Sequence, residues 1–135
     1  MKWLGILLLS ASPALASPYE ITRVIDGDTV EIAVDFLPSP LPPKLSIRVM
    51  GIDTPEKAPR AQCDAEAALA KKATAFTKNA VANATEVEVV ILKWDKYGGR
   101  VLGEVYLDHQ SLAESLVSAG LARHYKGDAK QSWCE

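Results

Sequence analysis

No apolar stretch in this chain approaches the roughly 20 residues needed to cross a bilayer. The one short apolar run, residues 3–9, sits at the N-terminus. The chain also lacks an excess of positive charge. Its formal net charge at pH 7 is −2 over 135 residues, so the overall field does not draw in a polyanion, and such a partner must be held by a local cluster of cations. Histidine and cysteine are scarce, at two each. Neither His109 nor His124 has a partner at metal or triad spacing, and both read as surface or packing residues. No histidine or third cysteine stands at zinc spacing from Cys63 and Cys134. No serine or cysteine has a convincing base beside it, which argues against a covalent hydrolase. Internal repeats and low-complexity tails are missing too, so the chain reads as one domain.

Residues 1–16 do not read as part of that domain. Lys2 gives a positive start, residues 3–9 a short apolar run, and Ala14-Leu15-Ala16 a small-residue cleavage site, the pattern of a secretory signal peptide. An uncleaved anchor or a buried N-terminal helix is the alternative. Cleavage after Ala16 is expected to leave residues 17–135 as a domain with no membrane segment. Its net charge would be −3, because the leader holds one base and no acid. Export, to the periplasm or the medium, makes a disulfide between Cys63 and Cys134 the default expectation. Such a bridge would close a loop of about 70 residues and contribute roughly 4 kcal/mol in the chain-entropy treatment.

Short Val- and Ile-rich runs with partial period-2 alternation predict strands over residues 19–25, 29–35 and 45–52. Asp26-Gly27-Asp28 joins the first two as a hairpin turn, and Pro38, Pro40, Pro42 and Pro43 make residues 36–44 a long loop. From Asp64 to about Asn83 the period becomes helical, with Leu69, Ala73, Phe76 and Ala80 as the apolar stripe. Lys71, Lys72 and Lys78 lie mostly off it. Two more strands follow over 87–92 and 101–107, joined by a turn-rich stretch. A second helix over 111–120 has Ser111 as N-cap, Glu114 three positions on, and Gly120 as its stop. Three strands, a helix, two strands and a helix make a small α+β domain that suits a five-stranded OB-type barrel.

Three clusters carry candidate chemistry. In Asp26-Gly27-Asp28-Thr29 the bland reading is a solvated turn and the functional one a metal ligand. Arg48 lies inside an apolar strand, where a cation is awkward without a partner. Asp53-Thr54-Pro55-Glu56 follows five residues later. On an ideal strand Arg48 and Asp53 point to opposite faces, so they converge only if the chain bends near Gly51. The bland reading there is an edge ion pair and a proline turn. Asp95-Lys96-Tyr97-Gly98-Gly99-Arg100 is either a polar turn or a phosphate-contacting loop with an arginine at its base. Phosphodiester hydrolysis would use all three: a base for water, neutralisation of charge on phosphorus, and stabilisation of the leaving oxygen. Two aspartates are hard oxygen ligands suited to Ca2+, and arginine holds phosphate oxygens without giving up its proton.

The runs Ile25-Asp26-Gly27-Asp28-Thr29-Val30, Arg48…Asp53-Thr54-Pro55-Glu56 and Asp95-Lys96-Tyr97-Gly98…Arg100 occur in the order seen in staphylococcal nuclease-like proteins, and the chain resembles that family over about residues 19–125. Residues 75–78, 87–89 and 115–122 look like its helices and fourth strand. The resemblance implies an OB-fold, staphylococcal nuclease-like α+β domain with two to three helices. It implies a Ca2+-dependent endonuclease acting on DNA and RNA and leaving 3′-phosphates. By motif position Asp28 and Asp53 would be calcium ligands through their side chains and Thr54 through its carbonyl. Arg48, Glu56 and Arg100 would be catalytic, and Lys96 and Tyr97 would lie near substrate. No obligate protein partner is evident. The chain departs from the prototype in the extra Gly99, the proline-rich loop, the cysteine pair and an early C-terminus. The alternative is a catalytically silent OB module that binds nucleic acid or a protein ligand. Trp94 and Trp133 read as packing residues rather than base-stacking platforms.

Overall fold

The period-2 runs form strands, and their alternation decides which side faces inward. A computed structural model describes residues 16–17, 19–96 and 98–134. Tyr97 and all of the expected leader except Ala16 lie outside the described residues. In chain order the elements are β1 (Ala16–Ser17), β2 (Ile21–Asp26), β3 (Thr29–Ala33), β4 (Lys44–Val49), β5 (Ile52–Asp53), α1 (Asp64–Asn83), β6 (Val87–Trp94), β7 (Arg100–Leu107), β8 (Gln110–Ser111), α2 (Leu112–Ser118) and β9 (Arg123–His124). Leu45, Ile47 and Val49 of β4 are buried, as are Val101, Val105 and Leu107 of β7. Val30 and Ile32 of β3, Val89 of β6, and Leu112 and Leu116 of α2 complete the centre of the core. Each such branched aliphatic side chain contributes about 1.5–3 kcal/mol on full burial.

The main sheet runs β1-β6-β7-β4-β3-β2, with β8 on β7, while β5 and β9 form a separate two-stranded pair. Every ladder is antiparallel except that between β4 and β7. Five long strands ordered β2-β3-β4-β7-β6, with a helix inserted after the third, make the partly open Greek-key arrangement of an OB-fold. Among the described residues no ladder joins β2 to β6. The class is α+β, with two helices among the described residues. Cys63 and Cys134 are joined in a disulfide across 71 positions of sequence.

Three local departures from the sequence expectation affect the site. The strand expected over 45–52 breaks after Val49. Gly51 takes φ +90°, a conformation that L side chains rarely adopt, and the next two residues leave the sheet to pair with β9. The strand expected over 29–35 ends at Ala33: the Val34 N–H still bonds to the Pro43 carbonyl at 3.1 Å, but a proline has no N–H with which to continue the ladder. The buried face of α1 is Glu66, Ala70, Ala73 and Thr77, whereas the expected Leu69, Phe76 and Ala80 are only partly buried beside it.

That shift has a steric cause. A Cβ on Gly27 would lie 2.7 Å from the Ala73 Cβ, so only a glycine in the turn and small residues on the helix allow them to approach this closely. Thr77, fully buried, donates its hydroxyl to the Gly27 carbonyl at 2.7 Å. The other helix meets the sequence expectation at both ends. Ser111 accepts from the Glu114 N–H at 3.2 Å. At the far end the Gly120 and Leu121 N–H groups bond back to Val117 and Leu116 in a Schellman closure.

Thr77→Val keeps the shape of the side chain but leaves the buried Gly27 carbonyl without its donor. The expected loss is about 1–3 kcal/mol of stability in urea unfolding. An unchanged midpoint would mean that the helix does not anchor the turn.

Candidate functional site

The anchored turn delivers Asp28 to the start of β3. Thr29 stands opposite Arg48 in the β3/β4 ladder, and the Asp28 carbonyl accepts from the Val49 N–H at 2.8 Å. Arg48 projects from the face of β4 away from the core, where its Nε donates to Asp28 Oδ2 at 2.9 Å. The other carboxylate oxygen of Asp28, Oδ1, accepts from the Thr29 hydroxyl at 2.9 Å. The bend at Gly51 turns the Ile52 carbonyl back, and Arg48 Nη2 donates to it at 3.1 Å. A cation inside an apolar strand is thereby partnered on two sides. This is the bend that convergence requires, although it carries the Ile52 carbonyl to Arg48 and not the Asp53 carboxylate.

β7 lies parallel to β4, with Arg100 opposite Ser46 and Leu102 opposite Arg48. The two arginines therefore share one sheet face, two positions apart on neighbouring strands. Gly98 and Gly99 both take positive φ, +72° and +69°, and the hairpin closes through the Asp95 N–H to the Arg100 carbonyl at 2.9 Å. Both glycines lie in the turn, and Arg100 stands at the start of β7. Its Nε donates to Asp95 Oδ2 at 2.7 Å, and Nη2 reaches the same oxygen. Burial raises the Asp95 pKa, but the hydrogen bond and charge of Arg100, the Lys96 N–H and the charge of Arg48 together hold it below the ordinary aspartate value.

The third side of the cleft is the loop after β5. Thr54, Pro55 and Glu56 line it together with Asp28, Arg48 and Arg100. This loop is pinned by a residue that reading the sequence as a helical stripe missed. Glu66, 4% exposed, accepts the Glu56 N–H through Oε2 and the Gln62 N–H through Oε1, each at 2.8 Å. Its signal was present: an acid one turn before Ala70 on the face that carries Ala73 and Thr77. Lys57, paired with Asp26 at 2.9 Å, and Arg60, 3.4 Å from Glu56, also line the cleft. Four cations and three carboxylates meet there. Each of the four cations is paired with a carboxylate, Asp28, Asp26, Glu56 or Asp95, so the cleft gathers both signs of charge.

Two of the expected residues do not line this cleft. Lys96 is exposed beyond it, its backbone N–H held by Asp95 Oδ1 at 2.7 Å. Asp53, 5% exposed, turns its carboxylate toward the C-terminal segment. There Trp133 Nε1 donates to Oδ2 at 3.1 Å and Lys130 Nζ lies 3.4 Å from Oδ1. Trp133 thus has a specific polar partner, and Trp94, expected to pack, is 61% exposed on β6. His109 and His124 are surface residues paired with Glu86 and Glu114.

The donor chemistry suits a hard divalent cation. Asp28 and Asp53 are buried carboxylates, oxygen donors of the kind Ca2+ takes, but only Asp28 lines the cleft beside Thr54. Among the described residues no group of three or more His, Cys, Asp or Glu side chains is gathered around a single point. An ion held by the two aspartates would therefore complete its shell with carbonyl, water and substrate oxygens.

Comparison with known proteins bears on the family of the chain. Residues 46–133 match the family model described as staphylococcal nuclease homologue. A relative named thermonuclease, from Staphylococcus hyicus, is 33% identical over 117 residues, which is 83% of this chain and 62% of that protein. The chain thus spans less than two thirds of that relative's length.

The Asp95–Arg100 pair has a defined pH signature. Because the folded-state pKa is lowered, the stability the pair contributes is complete above the unfolded-state value and is lost as pH falls through the folded value. A carbon-13 titration of the Asp95 carboxyl is expected to have its midpoint below the ordinary 3.8. In Arg100→Gln, where burial dominates, the midpoint should rise. A midpoint indifferent to this substitution would contradict the pairing.

Proposed function

The chain belongs to the staphylococcal nuclease family, and from that premise we propose that it is an exported, Ca2+-dependent nuclease. It would hydrolyse phosphodiester bonds of DNA and RNA and leave 3′-phosphates. The observation that carries this reading is the convergence of Arg48, Arg100, Asp28 and Glu56 on one cleft, from three stretches distant in sequence. The thermonuclease name of the relative supports the same reading.

In this proposal Arg48 and Arg100 hold the non-bridging phosphate oxygens. Their guanidiniums stay charged throughout, so they act as fixed donors where negative charge grows on the pentacoordinate phosphorus. The Asp28 and Asp95 carboxylates hold these guanidiniums in place before substrate arrives, so little reorganisation remains for the reacting state. Glu56 orients the attacking water and accepts its proton as the water oxygen bonds to phosphorus. The bond from phosphorus to the 5′ oxygen breaks, and that oxygen takes up a proton to leave as a hydroxyl. Asp28, Asp53 and the Thr54 carbonyl would hold Ca2+, which when bound supplies Lewis-acid stabilisation of a phosphoryl oxygen. By motif position, Lys96 and Tyr97 would contact the substrate strand.

Export is supported by the leader pattern of residues 1–16 and by the disulfide, which persists in oxidising compartments. Among the described residues no helix is long and apolar enough to cross a membrane.

The test is hydrolysis of single-stranded DNA and RNA with excess Ca2+ and then with chelator, with analysis of the new ends. Cleavage that stops on chelation and leaves 3′-phosphates is expected, and Arg48→Ala should lower turnover by about 10²–10³-fold. Binding without cleavage would favour a silent OB module. Cleavage indifferent to chelator would require another mechanism.

A further inference from the structure

Strand β6 carries an irregularity that the function proposed above does not use. Val90 and Ile91 stand opposite Glu104 and Gly103 of β7, but the next pair is Lys93 with Leu102, so Leu92 is an extra residue in β6. Such a bulge re-aims the side chains that follow it. In an unbroken ladder Leu92 would face Leu102, and Lys93 would stand beside Val101, a core position 3% exposed. The bulge puts Lys93 on the outer face of the sheet instead. Asp95, two residues on, obeys the same register, since its carboxylate meets Arg100 on that face.

Thr29, Arg48, Leu102 and Lys93 consequently form one row across β3, β4, β7 and β6. Lys93 lies two strands from Arg48, about 10 Å away at the backbone. It differs from the cations of the cleft. Arg48, Lys57, Arg60 and Arg100 each face a carboxylate, whereas Lys93 is exposed and, among the described residues, pairs with no acid. Further along the same face the sign of the charge reverses. Glu104 stands opposite Val90, and Glu88 opposite Tyr106. A polyanion passing from the cleft onto this face therefore meets attraction at Lys93 and repulsion beyond it.

We propose that Lys93 binds a backbone phosphate of the substrate strand next to the one held by Arg48 and Arg100, and that the bulge at Leu92 places it there. This rests on the reading of the cleft as a phosphodiester site. An ammonium on a flexible four-carbon stem is a hydrated point charge, suited to a phosphate and indifferent to the base attached. Contacts of this kind position a strand without specifying its sequence.

The experiment measures binding to a cleavage-resistant, phosphorothioate-linked oligothymidylate with excess Ca2+ over a series of salt concentrations. The matching dinucleotide, which has a single phosphate, is the second probe. Lys93→Gln is expected to weaken oligonucleotide binding about 2–10-fold and to reduce the salt slope by about 0.7, the value for one phosphate contact on a single strand. Dinucleotide affinity should not change. Lys93→Arg should keep the wild-type slope. Lys71→Gln, on the exposed side of α1, removes the same charge elsewhere and should alter neither probe. The proposal is overturned if Lys93→Gln keeps the wild-type slope, if Lys71→Gln lowers it equally, or if the dinucleotide is weakened as much as the oligonucleotide. Wild type that binds neither probe overturns both this inference and the phosphodiester reading beneath it.

Discussion

The pairing of Arg48 with Asp28 is the constraint on which the rest of the cleft depends. Arg48 sits between core positions Ile47 and Val49 of β4, so its charge is brought to the sheet by residues that must be buried. Asp28 meets it at 2.9 Å, and each group is far from free water, at 20% and 10% side-chain exposure. Removing one partner from such a pair leaves a charge poorly solvated, which costs more than the pair itself contributes. The geometry is set from behind. Gly27 packs against Ala73, and Thr77 fixes the Gly27 carbonyl, so the turn that carries Asp28 is anchored to the longest helix. Packing of small residues thus determines where a carboxylate stands.

A second frame holds the opposite wall. Glu66 takes no direct part in the cleft, yet its carboxylate accepts from two loop N–H groups and joins the loop after β5 to α1. The disulfide at the N-cap of the same helix adds the C-terminal segment to that frame. The domain therefore compensates for its modest core with one covalent closure and one buried acid, both placed beside the site. The Arg100 hairpin is different in kind. It projects from the sheet, and its tip is shaped by two glycines in left-handed conformations. Its base is held by the ion pair with Asp95, so a tip of different length leaves the guanidinium in register beside Arg48.

Much of this was legible because each signal was local. Alternation in Leu45-Ser46-Ile47-Arg48-Val49 predicts a strand with one buried face, Asp26-Gly27 predicts the hairpin, and Ser111 with Glu114 predicts a helix start. What escaped was long-range. A single glycine at position 51 does not reveal whether a strand continues, and the two-residue strands β5 and β9 are too short for any periodicity. The apolar stripe of α1 is displaced because the turn at Gly27, some fifty residues earlier, favours the smaller residues of the helix. Glu66 reads as one more solvated acid until its two N–H partners are known. Asp53 is a site candidate by motif, but its contacts with Lys130 and Trp133 come from a segment with no pattern of its own.

The central claim is that Asp28, Arg48, Glu56 and Arg100 form a single phosphate-handling cleft. Arginine-selective NMR of the side-chain Nε–H groups, recorded while a cleavage-resistant single-stranded oligonucleotide is added with Ca2+, tests it most directly. The Arg48 and Arg100 resonances should shift together and saturate at one common concentration, while those of Arg23 and Arg123 stay in place. Shifts confined to arginines outside the cleft, or separate saturation of Arg48 and Arg100, would contradict the account.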